Sequence, residues 1–255
     1  MNVGTPTITG HEHANSAYPW DSFNPAQYVQ DNYATLIEDD RQILQMVRDF
    51  FVTHAPAPGA HGVDVGAGAN LYPMMAMLPF CDSVTLFERS RSNLAWLQTQ
   101  LPNYDAIWDP FWAELATKED SPYSGVDPRV EAAKVHVQPG DLFELERRRW
   151  DLGTMFFVAE SMSERPEEFA EALEKFVHAL RPGAPFAAAF MAQSPGYSVG
   201  GIRYPAVSVT VADVRRNLDP IVEEVDVQPV FSGQVIKAQY KGMILALGRA
   251  GAAID

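Results

Sequence analysis

Three carboxylates and a glycine turn are the residues of this chain whose types and spacing suit a ligand. The stretch Val63-Asp64-Val65-Gly66-Ala67-Gly68-Ala69-Asn70-Leu71-Tyr72 runs from a short apolar strand pattern through two glycines into a helical pattern. Gly66 and Gly68 permit positive φ and a close approach of a ligand to the main chain. The start of the following helix offers N–H groups with no intrahelical acceptor. Glu88 ends the next strand pattern, Ser83 to Glu88, where a carboxylate can accept both hydroxyls of a ribose. Asp141 follows a third strand and Gly140, where an acidic residue can meet an adenine amino group. Asp64, just ahead of the first glycine, can organise the loop around a cationic ligand. The three carboxylates thus fall at the carboxyl ends of successive strands, the edge at which open α/β sheets bind ligands.

Two adenosine-containing ligands compete for such a turn. The dinucleotide fingerprint places a third glycine three residues after the second, but this chain has Leu71 there. No Arg or Lys lies in the loop to meet a pyrophosphate. An acidic-Val-Gly-Ala-Gly turn suits a ligand with a sulfonium and an ammonium group, so the expected cofactor is S-adenosylmethionine rather than NAD.

The elements that must position these residues follow from periodicity. Asn24 can cap a helix whose first position is Pro25 and which carries Tyr28 and Tyr33. Ile43, Leu44, Met46, Val47, Phe50 and Phe51 form an amphipathic stripe over 38–53. After the breaker Pro56-Ala57-Pro58-Gly59, strands at 61–66, 83–88, 134–138, 151–158 and 185–191 alternate with helices at 71–78, 93–101, 166–180 and 210–218. Two last strands, 222–231 and 242–247, are expected to pair antiparallel and close the sheet edge. Residues 1–16 read as a disordered tail and 17–255 as one domain, with a lid at 17–55 and an irregular insertion at 102–133.

Composition narrows the partners. The chain has 33 acidic and 19 basic residues among 255, a formal charge of -14. That field repels nucleic acid and anionic membrane; the run Arg147-Arg148-Arg149 reads as a solvated turn. One cysteine, Cys81, precludes an internal disulfide and fits a reducing cytoplasm. No apolar run is long enough for a signal core or a membrane span. The scattered histidines lack ligand spacing, so no metal site is expected.

The residues also carry a resemblance. Phe23-Asn24-Pro25 with Tyr28 and Tyr33, Asp64-Val65-Gly66-Ala67-Gly68 with Tyr72, Glu88 to Asn93, Gly140-Asp141-Leu142, Leu180-Arg181-Pro182-Gly183 and the Tyr197 region resemble the nicotinamide, phenylethanolamine and thioether methyltransferase group. The likeness runs weakly over about residues 18–250, and its N-terminal motif is the specific part. It implies an α/β, Rossmann-like class I methyltransferase fold: a mostly parallel seven-stranded sheet with an antiparallel final strand, under a helical N-terminal lid. It implies that Tyr28, Tyr33 and Tyr18 fold over the cofactor. Gly66, Ala67, Gly68 and Tyr72 would border its methionine part, Glu88 and Asn93 its ribose, and Asp141 and Leu142 its adenine. The chain departs from the nicotinamide enzyme after the fifth strand, where Met191 replaces an Asp and Pro195 to Ser198 match only at Tyr197.

On the acceptor side, Glu160 lies just past the fourth strand and can steer or deprotonate an amine, with Tyr197 and Tyr28 beside it. Trp20, Tyr197 and Tyr204 are the expected substrate-binding residues, and Trp108 and Trp112 are further candidates for an apolar wall. The expected activity is N-methylation of a small amine or aromatic metabolite by a monomer or weak homodimer. O- or C-methylation, and a non-catalytic S-adenosylmethionine-binding subunit, stay open.

Overall fold

The computed structural model describes residues 13–233 and 241–252. Its centre is a sheet whose first five strands are β1 (His61–Val65), β2 (Ser83–Glu88), β3 (Val135–Pro139), β4 (Leu152–Phe156) and β5 (Pro185–Met191). A small hairpin, β6 (Tyr197–Val199) and β7 (Ile202–Tyr204), follows, and the chain returns to the sheet through β8 (Val222–Val230) and β9 (Met243–Ala250). The seven-stranded order is β3-β2-β1-β4-β5-β9-β8. The first five strands are parallel; β9 runs antiparallel to both neighbours. The final strand is therefore antiparallel as expected, but it inserts between β5 and β8 and leaves β8 at the edge.

The helices are α1 (Pro25–Tyr33), α2 (Glu38–Thr53), α3 (Tyr72–Met77), α4 (Arg91–Gln100), α5 (Asp109–Leu115), α6 (Pro128–Glu131), α7 (Pro166–Ala179) and α8 (Val211–Leu218). The side chain of Asn24 accepts from Gln27 N–H and caps α1, and Ser90 does the same for α4 through Asn93 N–H. Strand alternation divides the core in two. Ala187 and Ala189 of β5 face the cluster containing α2, α3 and α5, whereas Phe186, Ala188 and Phe190 face the cluster containing α7 and α8. Ile43, Val47 and Phe51 of α2 are fully buried, each contributing about 1.5–3 kcal/mol. All of β4 is buried, as its apolar run predicts for a central strand.

Three expectations change. Residues 1–12 of the expected tail lie outside the described residues, but 13–16 are tied down: His13 N–H and Asn15 N–H donate to Glu164 and Glu168, and Asn15 is buried. The 102–133 insertion sends its large apolar side chains, among them Tyr104, Trp108, Phe111, Leu115 and Tyr123, into the core. Arg48 donates to Glu114 O and Thr117 Oγ1, and the Tyr123 hydroxyl donates to Ala76 O. Trp108 and Trp112 are buried there, and neither lines the pocket at the strand ends.

Candidate functional site

The carboxyl ends of β1, β2, β3 and β4 open into one pocket of about 830 Å³, counted to its open mouth. The enclosed part of it is smaller, about 130 Å³. The turn after β1 lies on its floor. Gly66 has φ 66°, and a Cβ there would stand 2.6 Å from Val158 Cγ1; Gly68 has φ 57°. The turn is bound to the neighbouring strand: Gly66 and Ala67 N–H donate to Phe87 O at 2.8 and 3.3 Å, and Gly68 N–H donates to Glu88 Oε2 at 2.7 Å.

Glu88 is buried and already well supplied with donors. Its Oε1 accepts from Arg89 and Ser90 N–H at 2.7 and 2.6 Å, and the Asn93 side chain also bonds it. Burial pushes its carboxyl up, while these bonds pull it back. A carboxylate offers about four acceptor positions, so a ligand hydroxyl joins Glu88 only by sharing or displacing a donor. On the same wall, buried Asn93 Oδ1 has no hydrogen-bond partner among the described residues. Asp141 accepts from Phe143 N–H at 3.0 Å and pairs with Arg89 at 3.6 Å, with Leu142 beside it in the lining.

The pocket brings together Trp20, Tyr28, Gly66, Ala67, Gly68, Glu88, Asn93, Asp141, Leu142 and Tyr197 of the expected set. Six others, Glu160 among them, lie behind or beside it. Tyr33 is buried between Tyr28 and Trp108, at ring distances of 5.8 and 5.3 Å. The Tyr72 hydroxyl donates to Asp40 Oδ1 at 3.0 Å. Asp64 accepts from Thr154 Oγ1 at 2.7 Å inside the sheet. Tyr18 faces Glu164. Tyr204 stacks between Trp20 and Tyr197, at 5.0 and 5.5 Å, and backs the wall they form.

Glu160 is fully buried beside the lining residue Ser161. Its Oε1 accepts from Met191 N–H at 2.9 Å and Ser161 Oγ at 3.0 Å. Its Oε2 has no partner among the described residues, and its charge acts on the lining tyrosines Tyr28 and Tyr197. Burial pushes its carboxyl up to about 7 against the two bonds. Met191, the departure after the fifth strand, thus serves through its main chain.

Sequence reading passed over Asn15, Asn70, Arg89 and Ser161, which also line the pocket. It also passed over the β6–β7 hairpin that delivers Tyr197. The signal was present: Gly200-Gly201 stands between the alternating runs Tyr197-Ser198-Val199 and Ile202-Arg203-Tyr204, and both glycines have positive φ. No helix among the described residues is long and apolar enough to cross a membrane. Nor does any cluster of three or more His, Cys, Asp or Glu there suit a metal ion.

Burial raises two further carboxyls, Asp40 to about 7 and Asp64 to about 8. Their unfolded values, like that of Glu160, are near 4. Between those limits the folded chain holds more protons than the unfolded one, so stability falls as pH rises through this window. Urea-unfolding midpoints are expected to drop from about pH 5 to about pH 8, less steeply in Asp64→Asn. A midpoint that climbs over that range contradicts the assignment.

No family model matches the chain, and no curated protein matches it. Solved structures do. The chain is similar to the N-methyltransferase NodS from Bradyrhizobium japonicum WM9 in complex with S-adenosylhomocysteine: 13% identity, TM-score 0.56, over 90% of this chain and 94% of that one. It is similar to the 1,6-didemethyltoxoflavin-N1-methyltransferase of Burkholderia thailandensis: 15% identity, TM-score 0.51, over 98% and 94%. It is also similar to the [4+2]-cyclase SpnF: 14% identity, TM-score 0.52, over 85% and 82%. With the strand order above, these likenesses give the chain the Rossmann-like class I methyltransferase fold.

Proposed function

We propose that the chain binds S-adenosylmethionine in this pocket and transfers its methyl group to a small molecule bearing an amine or aromatic nitrogen. The residues fit that cofactor. Buried Asn93 Oδ1 is an unpaired acceptor on the ribose-side wall, and buried Asn70 Nδ2 is an unpaired donor beside the glycine turn. Asp141 and Leu142 line the end of β3, where the adenine is expected. The cofactor, when bound, supplies a methyl carbon activated by the sulfonium. Trp20, Tyr28 and Tyr197 surround that region with aromatic faces, which attract a sulfonium and exclude water. Two of the similar structures, NodS and the 1,6-didemethyltoxoflavin-N1-methyltransferase, hold S-adenosylhomocysteine and are named N-methyltransferases, which supports the same reading.

The observation that carries the acceptor class is Glu160, a fully buried carboxyl with one oxygen unpaired and lining tyrosines close by. An ammonium or ring N–H satisfies that oxygen, and a carboxyl near neutral pKa can hold the proton the acceptor gives up. O- or C-methylation is the alternative for the same carboxyl acting on a hydroxyl or carbon acid. The fold alone does not choose a reaction; SpnF, named as a cyclase, shares it. Calorimetric titration tests the cofactor. S-Adenosylhomocysteine is expected to bind at about micromolar Kd, while NADH does not bind. No binding of S-adenosylhomocysteine removes this reading, and binding of NADH alone replaces it with a nicotinamide-dinucleotide one.

A further inference from the structure

The sequence resemblance implies a cover made of the helix that carries Tyr28 and Tyr33. That helix, α1, is docked: Val29 and Tyr33 are buried, and the Tyr33 ring packs on Trp108 and Phe111 at 5.3 and 6.1 Å. The segment ahead of it is held differently. Among residues 13–22 only Asn15 is buried. His13 N–H donates to Glu164 Oε2 at 3.2 Å, and His13 O accepts from Glu164 N–H at 3.1 Å. Asn15 N–H donates to Glu168 Oε2 at 2.8 Å. At the other end Trp20 O accepts from Ser90 Oγ at 2.7 Å, and Asp21 Oδ1 accepts from Arg91 N–H at 2.9 Å. Between the two ends the Trp20 indole N–H donates to Asn15 O at 3.0 Å. Residues 13–22 thus run from the start of α7 to the start of α4, across the edge of the sheet where the pocket opens.

Surface hydrogen bonds in place of apolar burial mark a segment of low local stability. Small-molecule sites usually offer about 300–1,000 Å³, and the enclosed space here is about 130 Å³. A ligand of adenosyl size therefore enters only when part of the cover moves. We infer that residues 13–22 are the part that moves: a strap that lifts from Glu164 and Glu168 to admit the ligand and closes over it, while α1 stays in place as a fixed wall. Asn15 ties closing to the ligand. It lines the pocket, and its side-chain amide has no hydrogen-bond partner among the described residues. The identity of the ligand rests on the S-adenosylmethionine reading above.

S-Adenosylhomocysteine is the probe, with hydrogen exchange and rapid-mixing kinetics as readouts. In the wild type, saturating probe is expected to slow amide exchange over 13–22 at least about tenfold and over 25–33 by less than about twofold. Glu164 and Glu168 lie outside the pocket lining, so replacing them removes no ligand contact. Glu164→Ala with Glu168→Ala is expected to release the probe at least about tenfold faster, since the N–H groups of His13 and Asn15 lose charged acceptors. Glu164→Gln with Glu168→Gln keeps an acceptor oxygen at each place, and its release rate is expected within about threefold of wild type. Glu167→Ala removes a charge from the same first turn of α7 and is expected to release the probe at the wild-type rate. Equal slowing over 13–22 and 25–33 makes strap and helix one lid, and an unchanged release rate in the double Ala variant leaves the latch idle. Either result overturns the inference and leaves the cofactor reading standing. Failure of the probe to bind the wild type removes the cofactor reading and this inference with it.

Discussion

Glu88→Ala is expected to weaken binding of S-adenosylhomocysteine about tenfold to a hundredfold and to lower unfolding free energy by about 1–3 kcal/mol. Both effects come from the donors gathered on this carboxylate. Removing it leaves the N–H groups of Gly68, Arg89 and Ser90 without their acceptor, and it releases the Asn93 side chain. The glycine turn then loses its tie to the end of β2, and the free Asn93 acceptor loses its orientation. Glu88→Gln separates the two effects. Its one carbonyl oxygen can still accept from Arg89 and Ser90, so most of the stability is expected to return. Its amide nitrogen meets the Gly68 N–H donor to donor, so the turn stays loose and ligand affinity stays low. Because the ribose side is affected, both variants are expected to lose binding of 5′-methylthioadenosine, an adenosyl ligand without the amino-acid tail, as well. Calorimetry and urea denaturation together check this; wild-type affinity in Glu88→Ala contradicts the placement of the ligand at β2.

The sheet and the glycine turn were legible in the sequence because their signals are local. A strand running into Gly66-Ala67-Gly68, Asn24 ahead of Pro25, and an apolar run for β4 each state a conformation within a few residues. The carboxylates at the ends of β2 and β3 follow from strand boundaries, which the sequence also marked. Side-chain direction was less accessible. Tyr33 and Tyr72 occupy positions that the resemblance assigns to the cofactor, yet one is packed in the core and the other is committed to Asp40. That partner lies on α2, distant in sequence from Tyr72, and no local pattern announces it.

The same limit explains the tryptophans. Trp20 and Trp108 look alike as exposed-or-buried choices in irregular sequence. Trp20 is drawn to the pocket because its main-chain oxygen accepts from Ser90 Oγ and its ring stacks on Tyr204 from the later hairpin. Trp108 is drawn inward by Tyr33 and Phe111. Asn70 was overlooked because an Asn in a turn is ordinarily a local cap. Only the count of donors and acceptors in three dimensions shows that half of its amide is left over.

Glu160→Gln is expected to lower kcat/KM toward an amine acceptor by about 10²–10⁴-fold, the usual range for a proton-handling group. The substitution is close to isosteric, and the Gln carbonyl can still accept from Met191 N–H and Ser161 Oγ. A neutral amide avoids the cost of a buried charge, so at about pH 8 the variant is expected to be no less stable than wild type. The rate loss is then separable from unfolding, and S-adenosylhomocysteine affinity is expected within about twofold of wild type. The pH profile carries the stronger test. Glu160 is raised to about 7 by burial, so its charged fraction grows as pH passes through that value. Wild-type kcat/KM is expected to rise across this range until Glu160 is ionised, and the limb is expected to vanish in Glu160→Gln. A loss mainly in KM assigns the carboxylate to attraction of a cationic acceptor; a loss mainly in kcat assigns it to removal of the proton. An unchanged rate and an unchanged limb in the variant make Glu160 a buried strut between β4 and Met191, and move the acceptor chemistry to Tyr28 and Tyr197.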